Sequence, residues 1–366
     1  MKSSRYPTGM SRNLVTACLL GCLLTACTVV GPTAIRSGRL AYNEAITETN
    51  NQQMLMVLIH NRYEERSNLL AAASVTANVS VAATTGIQLG FGDDDNFTGN
   101  LVPFSAGVAY EENPTISYTP VVGEKYTRQL FAPVPLTDFA QLVGNLANPA
   151  YSYTTLVSSV NGIHNPGFLF ASAEPDPRFP RFVIIMTALT QAHRLHWVED
   201  PQHTGSFSVV IHDYAPTYAA EVSELLGLLG LSAPKDRSTT VVLPVSLALI
   251  GRDTGGIGLT THSVFNLLEI LSAAIEVPEE DQQNGITASY PPPGLVGRNL
   301  RIRHADARPE HAYVAVKHRD KWFYIDERDQ ATKAFFRLLS TLWSVTIAES
   351  TANGSAAPVL TVPVSR

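Results

Sequence analysis

The amino-terminal 26 residues have the pattern of an export signal, and this pattern decides which part of the chain is left to fold. Lys2, Arg5 and Arg12 give this leader a positive charge, and it contains no acidic residue. Residues 14–24 are apolar and have signal-peptide length, which is too short for a helix that spans a bilayer. We therefore expect residues 1–26 to direct export and then to be removed.

The apolar segment ends in the tetrapeptide Leu-Thr-Ala-Cys at residues 24–27. Small residues before a cleavage point let the chain lie extended in a peptidase cleft. This box resembles the bacterial lipobox, and the resemblance implies that the Cys27 thiol takes a diacylglyceryl group and that the chain is then cut before Cys27. The alternatives are an ordinary secretory signal with an incidental cysteine and an uncleaved anchor.

Lipid attachment at Cys27 also predicts a location. Each buried methylene contributes roughly 0.8 kcal/mol, so two acyl chains with an amide-linked third hold a protein stably on a membrane. The residue after Cys27 is Thr28 and not an aspartate, which in enterobacteria-like sorting implies passage to the outer membrane. We therefore expect a periplasm-facing protein on the outer membrane. Its partners would be membrane lipid, through acylated Cys27, and an envelope protein of unknown identity.

The composition of the mature chain excludes several classes of function. Removal of residues 1–26 takes away three basic residues and no acidic ones, so the net charge of −6 becomes −9. Such a chain lacks the clustered Lys and Arg that bind nucleic acid, and we expect no nucleic-acid partner. Cys18 and Cys22 leave with the signal and Cys27 is acylated, so no thiol remains for a disulfide, a redox pair or a Cys-ligated metal.

The spacing of apolar residues predicts helices in both halves of the mature chain. Residues 40–63 contain no Pro or Gly, and Ile46, Met54 and Leu58 fit one helical face. Further helices are predicted over residues 135–146, 153–160, 181–198, 216–229, 263–275 and 328–346.

Alternation of apolar and polar residues predicts strands. Residues 71–81 alternate Ala and Val with Ser, Thr and Asn, which is typical of a strand with one wet face. Other strands are predicted over residues 102–110, 115–119, 207–212, 239–250, 313–317, 322–325 and 359–364. Turn-forming residues at 251–256 and 318–321 each indicate a hairpin.

Short turns between strands favour antiparallel pairing, and this decides the fold class. We predict an α+β fold, with a mainly antiparallel sheet and packed helices, preceded by an N-terminal helix and a small-residue β segment. The predicted organisation is a signal peptide (1–26), a lipid anchor, tether and helix (27–66), a β-rich segment (67–122) and an α+β domain (123–366).

Four histidines carry the strongest metal hypothesis that the sequence offers. They and two nearby carboxylates are His193, His196, His203, His212, Glu199 and Asp200. A zinc site needs three or four convergent ligands, and His193 and His196 lie three residues apart on a predicted helix. His196 also falls on the apolar stripe of that helix beside Trp197, where a packed imidazole is commoner. We therefore expect no metal there.

Two acidic clusters have structural interpretations. Three aspartates and an asparagine at residues 93–96 lack the spacing of a calcium loop, since adjacent residues cannot all point at one ion; we interpret them as a solvated loop. The carboxylates Asp326, Glu327 and Asp329 flank Arg328 where a helix begins. Carboxylates there complement the helix dipole and cap free amide groups. A general acid–base pair is the alternative for this second cluster.

Common active-site motifs are missing from the sequence. Neither a Gly-x-Ser-x-Gly nucleophile elbow nor a Gly-x-x-x-x-Gly-Lys phosphate loop occurs, and residues 255–258 lack the spacing of a dinucleotide turn. We therefore predict neither catalytic nor cofactor-binding residues, and a protein that is not an enzyme.

Several segments resemble a group of uncharacterised proteobacterial outer-membrane lipoproteins. They are YNEAI at 42–46, PTISYTP at 114–120 with GE at 123–124, VNG at 160–162, EVP at 276–278, and WFYID at 322–326 with RD at 328–329. The resemblance spans nearly the whole mature chain. It implies a shared fold, but no activity, substrate or catalytic residue.

Three functions stay open at this point. The first is a non-catalytic envelope lipoprotein, an accessory or scaffold subunit at the periplasmic face of the outer membrane. The second is a subunit of an oligomeric secretion or export pore that inserts residues 71–91, although membrane strands normally carry larger apolar side chains. The third is a lipid-tethered periplasmic enzyme.

Overall fold

In a computed structural model, the chain forms two compact units, residues 1–54 and residues 55–366. The structure describes residues 40–67, 69–76, 79–87, 104–112, 115–121, 124–145, 148–165, 176–232, 239–247, 255–290, 297–351 and 360–363. Cys27 and the acidic run at residues 93–96 lie outside these ranges. Of the helices within them, none combines the length and the hydropathy needed to cross a membrane.

The described residues contain nine helices and fourteen strands, which confirms the predicted α+β class. The first helix, α1, covers residues 40–62. The other helices are α2 (Glu124–Phe131), α3 (Leu136–Asn145), α4 (Pro149–Leu156), α5 (Arg178–Gln191), α6 (Ala219–Leu228), α7 (Val264–Ala273), α8 (Glu279–Gln283) and α9 (Gln330–Thr351).

The strands fall in both the predicted β-rich segment and the second half of the chain. They are β1 (Leu69–Thr76), β2 (Val79–Ile87), β3 (Phe104–Glu112), β4 (Thr115–Val121), β5 (Val157–Val160), β6 (Ile163–His164), β7 (Leu195–Glu199), β8 (Phe207–His212), β9 (Thr240–Leu247), β10 (Ile257–Thr261), β11 (Arg303–Ala305), β12 (Ala312–His318), β13 (Lys321–Asp326) and β14 (Leu360–Pro363).

The first unit is described only where it is helical, from residue 40 to residue 54. The hydroxyl groups of Thr47 and Thr49 donate to carbonyls four residues earlier in the same helix, at 2.7 and 2.9 Å. In the second unit α1 continues to residue 62, so the helix predicted over residues 40–63 is confirmed.

The largest sheet of the second unit has six strands in the order β6-β5-β10-β9-β8-β7. All of its pairs are antiparallel except the pair of β9 and β10, which is parallel. The hairpin predicted at residues 251–256 is therefore wrong. A Cβ atom on Gly256 would lie 2.2 Å from the carbonyl oxygen of Pro244 in β9, so only glycine allows the chain to re-enter the sheet this closely.

One face of this sheet is covered by helices. Along β9, buried Val241, Leu243 and Val245 alternate with exposed residues, as a half-buried strand requires. Helices α3, α4 and α5 pack on one another and on the sheet. Tyr153 lies at the centre of this layer with no exposed surface, and its ring makes edge contacts with Phe139 and Phe182.

Two predicted helices end earlier than the sequence indicated. In the stretch 153–160, α4 stops at Leu156 and β5 follows, because residues 157–160 pair with β10. In the stretch 181–198, His193 takes a left-handed backbone with φ 55°, and the N–H of Arg194 donates to the carbonyl of Leu189 at 2.9 Å. This closes α5 as a Schellman motif.

The small-residue β segment forms two separate sheets. The run 71–81, predicted as one strand, is divided between β1, which ends at Thr76, and β2, which starts at Val79. β1 pairs with β4, and β4 pairs also with β14 from the end of the chain. β2 pairs with β3 over nine residues in a two-stranded sheet. The prediction of a single strand is wrong because the two halves of the run have different partners.

The remaining sheet has the order β11-β13-β12, and β12 and β13 form the hairpin predicted at residues 318–321. Helix α9 follows β13. Asp329 caps its first turn by accepting hydrogen bonds from the N–H and the hydroxyl of Thr332, at 3.0 and 2.7 Å.

Candidate functional site

The end of α1 brings His60 and Glu65 side by side. Glu64 takes a left-handed backbone with φ 55°, and the N–H of Glu65 donates to the carbonyl of His60 at 2.8 Å. The N–H of Glu64 donates to the carbonyl of Asn61 at 3.2 Å. These bonds form a Schellman motif, which turns the chain back over the last helical turn. The two side chains therefore meet although five positions separate them.

The imidazole of His60 is oriented by Ser67. Its Nδ1 lies 2.9 Å from the Ser67 hydroxyl oxygen, while its Nε2 lies 3.8 Å from Oε2 of Glu65. When Nδ1–H donates to Ser67, Nε2 carries the free lone pair and directs it towards the carboxylate.

A second imidazole reaches the same carboxylate from the β12–β13 hairpin. His318 is the last residue of β12, and Arg319 follows it with a left-handed backbone of φ 51°. The His318 side chain is 11% exposed, and its Nε2 lies 3.5 Å from Oε2 of Glu65 without making a hydrogen bond. Arg319 donates to the other oxygen, Oε1 of Glu65, at 3.1 Å.

Two aromatic rings pack against His318 in this group, which we call the His60–Glu65–His318 cluster. The ring of Tyr63 makes an edge contact with the imidazole of His318 at 4.9 Å between centroids, and Phe323 contacts both rings. The guanidinium of Arg319 lies over the Tyr63 ring at 4.9 Å. Tyr63 also donates from its hydroxyl to Oδ2 of Asp281 at 2.6 Å. The cluster therefore has apolar walls and a polar rim.

Burial sets the protonation of the side chains around the cluster. It lowers the pKa of the His318 imidazole below its ordinary value, although the charge of Glu65 opposes that change. It raises the pKa of the Tyr63 hydroxyl above its ordinary value, and the hydrogen bond to Asp281 adds to the rise. Burial therefore favours the neutral form of the His318 imidazole.

Polar contacts beside the cluster fix the end of α1 to other parts of the second unit. Asn61 donates to Oε1 of Glu269 on α7 at 2.6 Å. The guanidinium of Arg62 lies over the ring of Tyr290 at 4.8 Å, and burial lowers the pKa of Arg62. The carbonyl of Arg62 accepts a hydrogen bond from Ala288 at 2.8 Å. These contacts hold the positions of His60 and Glu65 in place.

Two imidazoles and one carboxylate are ligand types that transition metals use. Within the described ranges, the His60–Glu65–His318 cluster is the only group of three or more His, Cys, Asp or Glu donors that all lie within 4.8 Å of one another.

The histidines singled out from sequence do not converge in this way. His196 lies on β7 and stacks on His212 of β8, with ring centroids 5.1 Å apart. His193 occupies the turn after α5, so the predicted pair on one helix is wrong. His203 pairs with Asp200 at 2.8 Å in the exposed β7–β8 loop.

Their neighbouring carboxylates hold loops. Glu199 accepts the N–H of Gly205 at 2.8 Å, and Asp200 accepts the N–H of Gln202 at 2.8 Å. Both carboxylates therefore stabilise the β7–β8 loop in the way that turn-forming acidic side chains commonly do.

In the second acidic cluster, Asp329 has the helix-capping role that the sequence predicted. Asp329 caps α9, and Asp326 accepts the N–H of Arg328 at 2.8 Å in the turn before that helix. Glu327 forms an ion pair with Lys333 in the first turn of α9. Asp329 thus satisfies an amide group at the start of the helix, and Asp326 stabilises the turn before it.

The sequence interpretation did not identify the His60–Glu65–His318 cluster. The cluster joins the end of α1 to the β12–β13 hairpin, and these segments are distant in the sequence: 254 positions separate Glu65 from Arg319, the residue after His318. The only local signal was the end of the predicted first helix, where a histidine and two glutamates follow one another closely. In comparisons with family models, with curated proteins and with solved structures, nothing matches this chain.

Proposed function

We propose that this chain is a lipid-anchored envelope protein that acts as an accessory or scaffold subunit at the periplasmic face of the outer membrane. The observation that carries the proposal is the positive, apolar leader followed by Leu-Thr-Ala-Cys at residues 24–27. The net charge of −9 after removal of the leader supports attachment through acyl chains, because anionic headgroups attract basic segments and not acidic ones.

The anchor is tested by labelling cells with radioactive palmitate. Cys27→Ser should abolish the label and leave an unprocessed precursor in the inner membrane, because the acceptor thiol is lost. Cys22→Ser is the matched control, since it removes a thiol of the leader outside the box and should be labelled and cleaved normally. Continued labelling of Cys27→Ser would remove the basis of the proposal.

A separate experiment, membrane fractionation on density gradients, tests whether the protein is attached to the outer or to the inner membrane. The wild-type protein should sediment with outer-membrane markers. Thr28→Asp should keep the lipid label but move the protein to the inner membrane, because the residue after the acylated cysteine directs sorting in the pattern that the box resembles. Recovery of the wild-type protein with inner-membrane markers would contradict the outer-membrane assignment and leave lipid attachment intact.

One observation favours a pore subunit as a second candidate. β2 and β3 are nine residues each and pair only with one another in the described residues. An isolated hairpin is marginally stable in water, whereas strands of about nine residues suit a bilayer. Hairpins from several copies would pair with one another and satisfy their open edges.

Charge substitutions on β1 and β2 distinguish the two candidates. A scaffold with a solvated sheet should tolerate Ser74→Lys and Thr76→Lys, whereas Val75→Lys and Val79→Lys should lower its melting temperature. A pore subunit that inserts β2 and β3 should form rings that survive in detergent, and Val79→Lys in the inserted hairpin should prevent their formation. Monomeric protein with position-dependent tolerance would favour the scaffold.

A further inference from the structure

Three potential ligand atoms meet at the end of α1. The Nε2 atoms of His60 and His318 lie 3.8 and 3.5 Å from one carboxylate oxygen, Oε2 of Glu65. One potential ligand atom from each of the three residues lies within 4.8 Å of the other two. Both distances exceed the usual limit of about 3.2 Å for an N–H···O hydrogen bond. The atoms therefore surround a small space without bonding directly to each other.

We propose that His60, Glu65 and His318 bind one zinc ion. Two imidazoles with one carboxylate form a donor set that zinc uses in four-coordinate sites. Calcium and magnesium select oxygen ligands and are disfavoured by the two imidazoles. This site is independent of lipid attachment. The sequence predicted no metal, because His318 lies far from His60 and Glu65 along the chain.

Two of the three distances between ligand atoms match those around a zinc ion, one of them after a small adjustment. Zinc–ligand bonds of about 2.0–2.2 Å place tetrahedral ligand atoms about 3.3–3.5 Å apart. The separation of 3.5 Å between His318 Nε2 and Glu65 Oε2 already has this value. The separation of 3.8 Å between His60 Nε2 and the same oxygen requires only a slight rotation of one side chain.

Two further contacts have the form of an outer ligand shell. Ser67 lies 2.9 Å from Nδ1 of His60, which orients the ring and leaves Nε2 for the metal. Arg319 holds Oε1 of Glu65 at 3.1 Å, which leaves Oε2 for the metal. A contact between the non-ligating atom of each ligand and a second side chain is the usual arrangement in metal sites.

His318 supplies an independent reason for a cation at this place. Its Nε2 is buried and makes no hydrogen bond. Buried polar atoms normally have a partner, and a metal ion would provide one. The neighbouring guanidinium of Arg319 does not provide one, since it donates to Glu65 and lies over the ring of Tyr63.

The proposed ion would have two consequences. It would join the end of α1 to the β12–β13 hairpin within the second unit and would therefore stabilise the folded state. Three protein ligands also leave one position of a tetrahedral ion for water or for a small anionic ligand.

Zinc titration of the full mature protein, purified in detergent and treated with chelator, tests the site. We expect one zinc ion per chain by elemental analysis and a melting temperature that rises with zinc. Cobalt(II) in place of zinc should give the visible absorption of four-coordinate cobalt. The absence of stoichiometric zinc from the wild-type protein, after incubation with excess zinc and gel filtration, would overturn the proposal.

Variants assign the ligands. Glu65→Gln keeps the shape of the side chain. We expect both Glu65→Gln and His318→Ala to weaken zinc binding by about 10–100-fold or more, because changes in residues that only contact a ligand already cause a loss of this size. Ser67→Ala should weaken binding less. His203→Ala is the control, because this 70% exposed imidazole lies outside the cluster and should leave zinc affinity unchanged.

Folding of each variant is checked by circular dichroism. If His318→Ala does not fold, the shape-preserving Glu65→Gln decides. Wild-type zinc affinity in folded Glu65→Gln would overturn the assignment, as would an equal loss of affinity in His203→Ala.

Discussion

The side chain of Asn161 accepts a hydrogen bond through Oδ1 from the backbone N–H of Gly258, at 2.6 Å. The same amide donates from Nδ2 to the carbonyls of Leu229 and Gly256, at 2.8 and 3.0 Å. Asn161 occupies the turn between β5 and β6 with φ 44°, a conformation that asparagine tolerates better than most residues. One side chain therefore connects this turn, the end of α6 and the start of β10.

Replacement of Asn161 should be among the costliest polar changes in the chain. Asn161→Ala leaves three backbone groups without their partner, and each unpaired buried group costs about 1–3 kcal/mol. We expect the free energy of unfolding in urea to fall by about 3 kcal/mol or more. Asn145→Ala is the control, because its exposed amide donates to the carbonyl of Gln141 in its own helix.

A second variant separates lost hydrogen bonds from backbone strain at this position. Asn161→Gly accommodates the positive φ but makes none of the side-chain bonds. It should remain nearly as unstable as Asn161→Ala. Recovery of wild-type stability in Asn161→Gly would mean that strain, and not hydrogen bonding, explains the alanine result.

The cap of α9 provides a second stability prediction. Asp329→Ala removes both acceptors for Thr332, whose hydroxyl also accepts the N–H of Arg301 at 2.9 Å. Loss of such a cap costs about 1–2 kcal/mol, measured as a change in the free energy of unfolding. Asp329→Asn should recover part of the loss, since asparagine is also a good cap. Glu327→Ala should cost less, and an equal cost for it would contradict the capping role of Asp329.

Much of the fold was predictable because neighbouring residues determine it. The alternation of residues 207–212 predicted β8 with its observed bounds. Helix α7 begins where the sequence indicated, and Ser263 and Asn266 form a capping box there. In both cases the signal lies within one element, so one periodicity or one cap is sufficient.

The errors arose where distant segments decide the local structure. Helical spacing continues through His196, yet the chain leaves α5 at His193 because the next residues pair with β8. The turn-forming residues before β10 indicated a hairpin, but β10 pairs with β9 in parallel. The His60–Glu65–His318 cluster is not predictable from local sequence for the same reason, since Glu65 and His318 meet only after α1 and the β12–β13 hairpin are in place.

A buried histidine links stability to pH. His262 is 5% exposed and lies between β10 and α7. Its backbone N–H donates to the carbonyl of Leu156 at 2.8 Å, and its carbonyl accepts from Val134 at 3.0 Å. Burial lowers the pKa of the His262 imidazole from 6.5 to about 3, against a smaller opposing effect of its hydrogen bond to the backbone of Val157.

This lowered pKa should make the protein less stable in mild acid. Between pH 6.5 and about pH 3 the unfolded chain binds a proton at His262 that the folded chain does not bind. The contribution of His262 to the free energy of unfolding is therefore fully present above pH 6.5. As the pH falls below this value, the contribution decreases by about 1.4 kcal/mol per pH unit. We expect His262→Gln, which keeps a donor for Val157, to show a correspondingly shallower fall in the free energy of unfolding between pH 6.5 and pH 4.5. A wild-type slope in His262→Gln would show that His262 does not carry this dependence.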